Sequence, residues 1–434
     1  MFKRILILTA FLIFPVISFS QLPNWVEQNS GTTQTLTSVH FDSYFSVWAC
    51  GYGGTVIRST NKGTNWINVG GNGIPATAQL INIVVINANI ALTSGYIGSN
   101  TFVYRTSNAG TNWTQVFTEN NGFINAMCFN SFTDGFMTGD PVGGRWSLWR
   151  TTNGGINWDS SGLYLPQIGT EAGWNNSVWI NNGKIWFGTN NTKLYYSSNF
   201  GANWVAQPTT GSVNSYTVWF YRLFGGIDGL IGGADMFRSS NSGFNWDAQV
   251  SAGSGNFGGI TGGPNVIFDA GSGGFWFTFS VRGTGEIYTS TNGGTNWFSQ
   301  YTAPAGTYRY IGTGDNALDF WAVRSNGGIS YLYLNLGAIN TISNEVPDKF
   351  TLSQNFPNPF NPTTKIRFQL MKSSRVKMTV FDQLGREVKV LLNEQIGAGT
   401  YESEFNGSDI VSGVYFYKLE TGEFSEVKKM LLLK

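Results

Sequence analysis

The sequence predicts an all-β protein, a seven-bladed β-propeller followed by an Ig-like β-sandwich, and three observations carry that expectation. Glycine is abundant, aromatic residues make up 15% of the 434 residues and only 12% are charged, a composition suited to many short strands joined by tight turns. A motif ending in tryptophan recurs six times at intervals of 42 to 51 residues, the period of one propeller blade. Past about Gly337 tryptophan disappears, prolines cluster, and lysine and glutamate become frequent, which marks a second domain.

The chain begins with a leader pattern. Lys3 and Arg4 form a basic start, Ile5 to Ile17 an apolar stretch, and Ser18-Phe19-Ser20 a small-x-small site before Gln21, so residues 1–20 read as a signal peptide. The apolar stretch is shorter than the roughly 18 residues of a membrane span. No later segment of that length lacks polar residues, and no transmembrane anchor is expected.

Residues 21–340 are expected to form the propeller. The motif Ser/Thr-Ser/Thr-Asn-x-Gly-x-Asn-Trp occupies Ser59 to Trp66, Thr106 to Trp113, Thr151 to Trp158, Ser197 to Trp204, Ser239 to Trp246 and Ser290 to Trp297. Its Asn (Asn61, Asn108, Asn153, Asn199, Asn241, Asn292) suits an Asx-turn, and the Gly two places later tolerates positive φ, so each motif closes a hairpin. Its Trp is large enough to fill the seam between neighbouring sheets. After Trp297 three more strand-like runs follow, Tyr308 to Gly312, Asp319 to Arg324 and Ile329 to Leu336, with no closing Trp. Asn24-Trp25 has the missing ending, so Trp25 to Gln28 are expected to complete the last blade and remove the open edges of the array.

These repeats resemble the Asp-box, or BNR, repeats of sialidases, of related glycoside hydrolases and of the photosystem II stability and assembly factor family of seven-bladed propellers. The resemblance implies a propeller over residues 22 to about 340, with the boxes on hairpins away from a catalytic face. Here Asn replaces the motif's Asp in every copy. An Asx-turn survives that change and a carboxylate role does not, so the boxes are expected to be architectural.

Residues 341–350 read as a linker and 351–434 as the sandwich. In Phe356-Pro357-Asn358-Pro359-Phe360-Asn361-Pro362 each proline lacks an N–H and extends its predecessor, which excludes helix. Alternating runs follow, such as Ile366, Phe368, Leu370 and Val376, Met378, Val380, with turns at Leu384-Gly385, Gly397-Ala398-Gly399, Ser412-Gly413 and Thr421-Gly422, giving about seven strands. Four blocks in order, Leu352 to Pro362, Val380 to Val388, Ser412 to Tyr417 and Lys428 to Lys434, resemble the type A sorting domain of type IX secretion cargo. The resemblance implies passage of the inner membrane on the signal peptide, folding in the periplasm, and export by the type IX machinery to the surface or medium. Lys429, Met430, Leu431, Leu432, Leu433 and Lys434 are the candidate sorting signal, either as an edge strand that pairs with a receptor or as a core strand.

Charge and side-chain inventory bound the chemistry. Residues 21–343 carry 12 Lys plus Arg against 14 Asp plus Glu, and residues 344–434 carry 12 against 11, so neither part has the basic stripe that nucleic acid requires. Cys50 and Cys128 are too few for a disulfide framework and read as small buried residues. His40 is the one histidine, which excludes multi-histidine zinc sites; no metal or cofactor is expected. Gly253 to Gly258 spell GxGxxG with no helix behind them, a loop and not a nucleotide site.

Binding residues are expected on the face opposite the repeat turns, where loops join second to third strands and blade to blade. Tyr52, Tyr96, Asp140, Arg145, Trp146, Asp235 and Arg282 are the candidates, and aromatics with sparse charge suit carbohydrate or protein. The alternative is a glycoside hydrolase or sialidase-like enzyme with its site on that same face. A sialidase-like site needs three clamping arginines, and Arg145, Arg222, Arg282, Arg309 and Arg324 are those not already placed before a repeat turn, yet the Arg-Ile-Pro signature of that family is absent. Other glycosidases need only two carboxylates, which leaves the enzymatic alternative open.

Overall fold

The structure is a computed structural model that describes residues 25–41, 46–209, 217–223, 226–233, 235–249, 253, 257–262, 278–290, 292–313, 319–333, 339–343, 345–407 and 410–434. The expected signal peptide at 1–20 and residues 254–256 of the expected GxGxxG loop lie outside them. The chain divides into two compact units, residues 24–334 and a second that takes in residues 335–434. Among the described residues there is no helix, and hence none long and apolar enough to cross a membrane.

The described residues of the first unit form seven antiparallel sheets. Blade 1 is Leu36–Phe41, Val47–Gly51, Val56–Ser59 and Ile67–Asn68; blade 2 is Gln79–Asn87, Ile90–Ile97, Asn100–Thr106 and Thr114–Asn120. Blade 3 has Ile124–Phe129, Gly135–Val142 and Arg145–Thr151, with an Arg150–Asp159 bridge in place of a fourth strand. Blades 4, 5 and 6 begin at Gly173–Asn181, Thr217–Leu223 and Phe257–Gly262, and each has four strands. First strands of successive blades lie side by side, and the ring closes where Tyr308–Thr313 of blade 7 meets Leu36–Phe41 of blade 1.

Blade 7 is built from both ends of the unit, as expected. Tyr308–Thr313, Asp319–Arg324 and Ile329–Tyr333 supply three strands, and Val26–Gln28 pairs antiparallel with the last, Val26 opposite Tyr331 and Gln28 opposite Ile329. Glu27 clasps the joint. Its carboxylate accepts bonds from Arg324, from the Ser330 hydroxyl at 2.6 Å and from the Tyr301 hydroxyl at 2.8 Å. Burial alone would raise the pKa of Glu27, but the hydrogen bonds from Arg324, Ser330 and Tyr301 outweigh it and hold the carboxyl below its ordinary value.

Each repeat turn is locked by the same bonds. In Thr151 to Trp158 the Thr151 hydroxyl donates to Asn153 Oδ1 at 2.9 Å and accepts the N–H groups of Asn153 and Gly155, while Asn153 Oδ1 also accepts the Asn157 N–H at 3.0 Å. The Asn is therefore a cap, and the first Ser/Thr is its buried base. The glycine stands at positive φ and presses on the preceding blade: a Cβ on Gly155 would lie 2.3 Å from Leu92. The tryptophan fills the same seam. Trp113 packs edge-on against Trp48 of blade 1 at 6.2 Å and donates to Val69 O at 2.8 Å, and Trp204 packs against Phe136 of blade 3. Trp25 does this in the seventh seam, edge-on to Phe279 of blade 6 at 5.5 Å.

The second unit is a two-sheet sandwich. One sheet runs in the order Ile339–Ser343, Gly399–Asn406, Thr363–Leu370, Thr351–Leu352; the other runs Glu387–Ile396, Ser374–Phe381, Gly413–Glu420, Ser425–Leu432. Inward residues of both meet in one core that includes Ile366, Phe368, Val376, Met378, Tyr417, Met430 and Leu432. Ile339 lies opposite Ser403, so a strand of the sandwich occupies the last residues assigned above to the propeller and the first of the linker. That run has too little alternation to read as a strand alone; its partner fixes it. The proline stretch is anchored by Asn355, whose N–H donates to the Tyr417 hydroxyl at 2.8 Å and whose side chain donates to Thr364 at 2.9 Å.

Candidate functional site

The face opposite the repeat turns is organised by one recurring glycine. The second strands of blades 1, 2 and 3 reach Gly51, Gly95 and Gly139, where a Cβ would come within 2.0, 2.5 and 2.5 Å of the carbonyl oxygens of Thr35, Gln79 and Phe123. Only glycine admits that approach. The residue after it turns onto the open face, which gives Tyr52, Tyr96 and Asp140 equivalent stations on three adjacent blades.

Those stations form an aromatic row ending in a carboxylate. Tyr96 lies against Phe123, with ring centroids 5.3 Å apart, and is paired in register with Gln79. Burial, and then the neighbouring Tyr52, raise the Tyr96 hydroxyl pKa. Tyr52 is 36% exposed. Asp140 Oδ1 accepts the Gly173 N–H at 2.7 Å; burial raises its pKa against the bonds from Gly173 and the Asn125 side chain. Glu119, which accepts the Ser147 hydroxyl at 2.6 Å, is also raised by burial, opposed by Ser147 and the charge of Arg145. Phe123, in the link that enters blade 3, was not among the sequence candidates. Its only sequence signal is its place at the entry to a first strand, where Thr35 and Gln79 stand in blades 1 and 2.

Two candidates are not on the surface. Trp146 is 2% exposed, packed between blades 3 and 4 with its ring tilted against Phe187 at 4.9 Å, and donates to Glu171 at 3.3 Å. Strand alternation sends Arg145 outward and its neighbour inward. Arg282 is 3% exposed at the end of its strand; burial lowers its pKa, with Tyr288 and Asp235 acting against that. Arg145 and Asp235 are exposed, but Asp235 lies on blade 5, away from the row on blades 1 to 3.

The ring encloses a channel of about 790 Å3 lined by first strands, His40, Cys128, Trp179 and Trp219 among them. Near one end Asn82 donates to Asn176 at 2.6 Å, Asn176 donates to Thr37 O at 3.2 Å, and Asn82 Oδ1 accepts the Met127 N–H, which ties blades 1 to 4 together. His40 Nδ1 accepts the Val85 N–H at 3.2 Å. Burial pushes the Cys50 thiol up to about 12 and also raises Cys128, so neither is poised as a thiolate. Among the described residues no group of three His, Cys, Asp or Glu is placed to hold a metal ion.

In the sandwich, Met430 and Leu432 are fully buried, while Lys429, Leu433 and Lys434 are exposed. The C-terminal strand is an edge strand, yet its outer rim is already bonded where pairing with a receptor was envisaged. Phe360 N donates to Leu431 O at 2.9 Å, Leu433 N to Phe360 O at 3.0 Å, Leu431 N to Asn358 Oδ1 at 2.9 Å, and Gln354 to Lys429 O at 2.7 Å. The proline stretch is what covers it.

Comparisons with known proteins agree with this division. Residues 354–433 match the family described as secretion system C-terminal sorting domain. No curated protein matches the chain. Among solved structures, YCF48 bound to D1 peptide is 15% identical with a TM-score of 0.57, over 72% of this chain and 98% of that one. YCF48 from Cyanidioschyzon merolae is 15% identical with a TM-score of 0.55, over 71% and 98%. The WD40 β-propeller domain of Doa1 is 10% identical with a TM-score of 0.52, over 72% and 97%. At these identities the likeness establishes the propeller fold alone. The chain is therefore a β-propeller carrying a type IX secretion C-terminal sorting domain, cargo for export to the cell surface or the medium.

Proposed function

We propose that the propeller is a non-catalytic binding module, delivered outside the cell, that takes carbohydrate or protein on the face opposite its repeat turns. The aromatic row of Tyr52, Tyr96 and Phe123 carries this reading, because partly exposed rings with few charges around them favour sugar faces and peptide side chains. Asp140 and Arg145 supply polar contacts at its blade 3 end. The YCF48 propeller bound to a peptide supports the protein arm. Residues 1–20 act as signal peptide, the repeat turns are architectural Asp-box hairpins, and Lys429 to Lys434 belong to the sorting signal read after passage through the periplasm.

One observation favours the glycoside hydrolase alternative: Asp140 and Glu119, both on this face, have carboxyls raised by burial, as a general acid requires. A glycan and protein array probed with the purified chain, with reducing-sugar release followed in parallel, separates the two. Specific binding without turnover, lost in Tyr96→Ala, supports the module; sugar release abolished by Asp140→Asn or Glu119→Gln supports the enzyme.

A further inference from the structure

Two-faced antiparallel sheets bury one side and present a polar side to water. The sheet holding the C-terminal strand departs from that at one end. Val380, Tyr415, Tyr417, Met430 and Leu432 point into the core, so their strand neighbours Phe381, Val414, Phe416 and Leu431 point outward. Register gathers them: Phe381 lies opposite Phe416, Phe416 opposite Lys429, and Val414 opposite Leu431. All four apolar side chains are only half-buried. Farther along the same face the ordinary pattern returns, with Lys418 bridged to Glu420 at 2.6 Å.

We infer that this outward face, Phe381, Val414, Phe416 and Leu431 with Lys429 beside them, is the docking surface by which a protein of the type IX machinery holds the domain. The inference rests on the reading of residues 354–433 as a sorting domain. Strand addition at the C-terminal edge is closed, because Gln354, Asn358 and Phe360 already satisfy the backbone from Lys429 to Leu433. A receptor that reads the terminal residues from outside therefore meets side chains, and the outward ones within the strand are Lys429 and Leu431, with Leu433 and Lys434 exposed just past its end. Met430 and Leu432 act from within, by holding the strand in place. The partner has an apolar patch of matching size and an acidic group opposite Lys429.

The test uses the full chain in a host with type IX machinery, comparing the parent with Phe416→Thr/Leu431→Thr, with Lys429→Glu, with the conservative Phe416→Leu/Leu431→Ile, and with a chain lacking residues 339–434. Threonine keeps strand propensity while removing the apolar surface. Surface or medium delivery is expected to fall on the order of tenfold or more in the threonine and glutamate variants and to recover in the conservative pair, with the purified variants unfolding at the parent's temperature. Lys429→Glu, at an exposed position, decides the matter if the threonine pair fails to fold. Parent-like delivery of Lys429→Glu together with a folded threonine pair would overturn the inference while loss on deletion still upheld the sorting domain. Delivery of the deleted chain would overturn the sorting reading itself. A parent that sediments as a dimer and a threonine pair that is monomeric yet delivered would assign the face to self-association instead.

Discussion

Replacing Thr151 by alanine removes the hydroxyl that accepts the Asn153 and Gly155 N–H groups and donates to Asn153 Oδ1. Gly155 is buried against Leu92, so its N–H gains no water in exchange, and the loss is expected to cost about 1–3 kcal/mol. Asn153→Ala removes a different part of the turn. Asn153 is exposed and its oxygen serves the Thr151 hydroxyl and the exposed Asn157 N–H, both of which water reaches more easily, so the cost should fall in the lower half of about 0.5–2 kcal/mol. Asn153→Asp keeps both acceptor bonds and should be close to neutral. Denaturant titration of the four chains, followed by tryptophan fluorescence, gives the order directly. Asn153→Ala as costly as Thr151→Ala would refute this ordering, and an Asn153→Ala chain of parental stability that no longer binds ligand would refute the architectural reading of the repeat turns.

Three further outcomes follow from the closure and the aromatic row. Trp25→Ala empties the seventh seam beside Phe279 and should cost about 3–5 kcal/mol of propeller stability; an unchanged unfolding midpoint would place Trp25 outside the ring. The Glu27 carboxyl titrates below its ordinary value of 4.5, so the stability it contributes is present above that pH and is lost as pH falls through its folded-state value. The difference in unfolding temperature between the parent and Glu27→Gln should therefore be full near neutrality and close in acid; a difference that widened in acid would contradict the clasp. Tyr96→Ala should weaken any ligand found by array at least about tenfold while leaving the repeat turns and ring closure intact, as judged by unfolding temperature.

Much of the propeller was legible because its information is local and repeated. The Asn, Gly and Trp of each box act within eight residues of one another or on the blade just before, and the missing last Trp pointed to Trp25. The face was less legible. Tyr52, Tyr96 and Asp140 follow a glycine that marks their station, but Trp146 and Arg282 were placed by loop position, and their burial depends on a strand parity and a neighbouring blade that local sequence does not encode. Phe123 belongs to the row only because Tyr96 of another blade packs on it. In the sandwich, the apolar run from Met430 to Leu433 left an edge strand and a core strand open, and the fold buries Met430 and Leu432. The cover over that strand's rim comes from Asn358 and Phe360, some seventy residues earlier, and only the folded chain brings them together.

The joint in blade 7 also sets an order of events. Trp25 donates to Gln300, and Arg324 reaches Glu27, contacts that span 275 and 297 residues of chain. Contacts of such separation form late, since nearly the whole ring must be in place before loop closure is repaid. As the polypeptide is made, Val26–Gln28 emerges first and waits as an unpaired edge until Ile329–Tyr333 has been synthesised, a span in which it is open to pairing with the wrong strand. The sandwich follows only after that point. A chain whose sorting domain has emerged already contains every strand its propeller needs, so completion of the domain that carries the address coincides with the first moment at which the cargo is able to be whole.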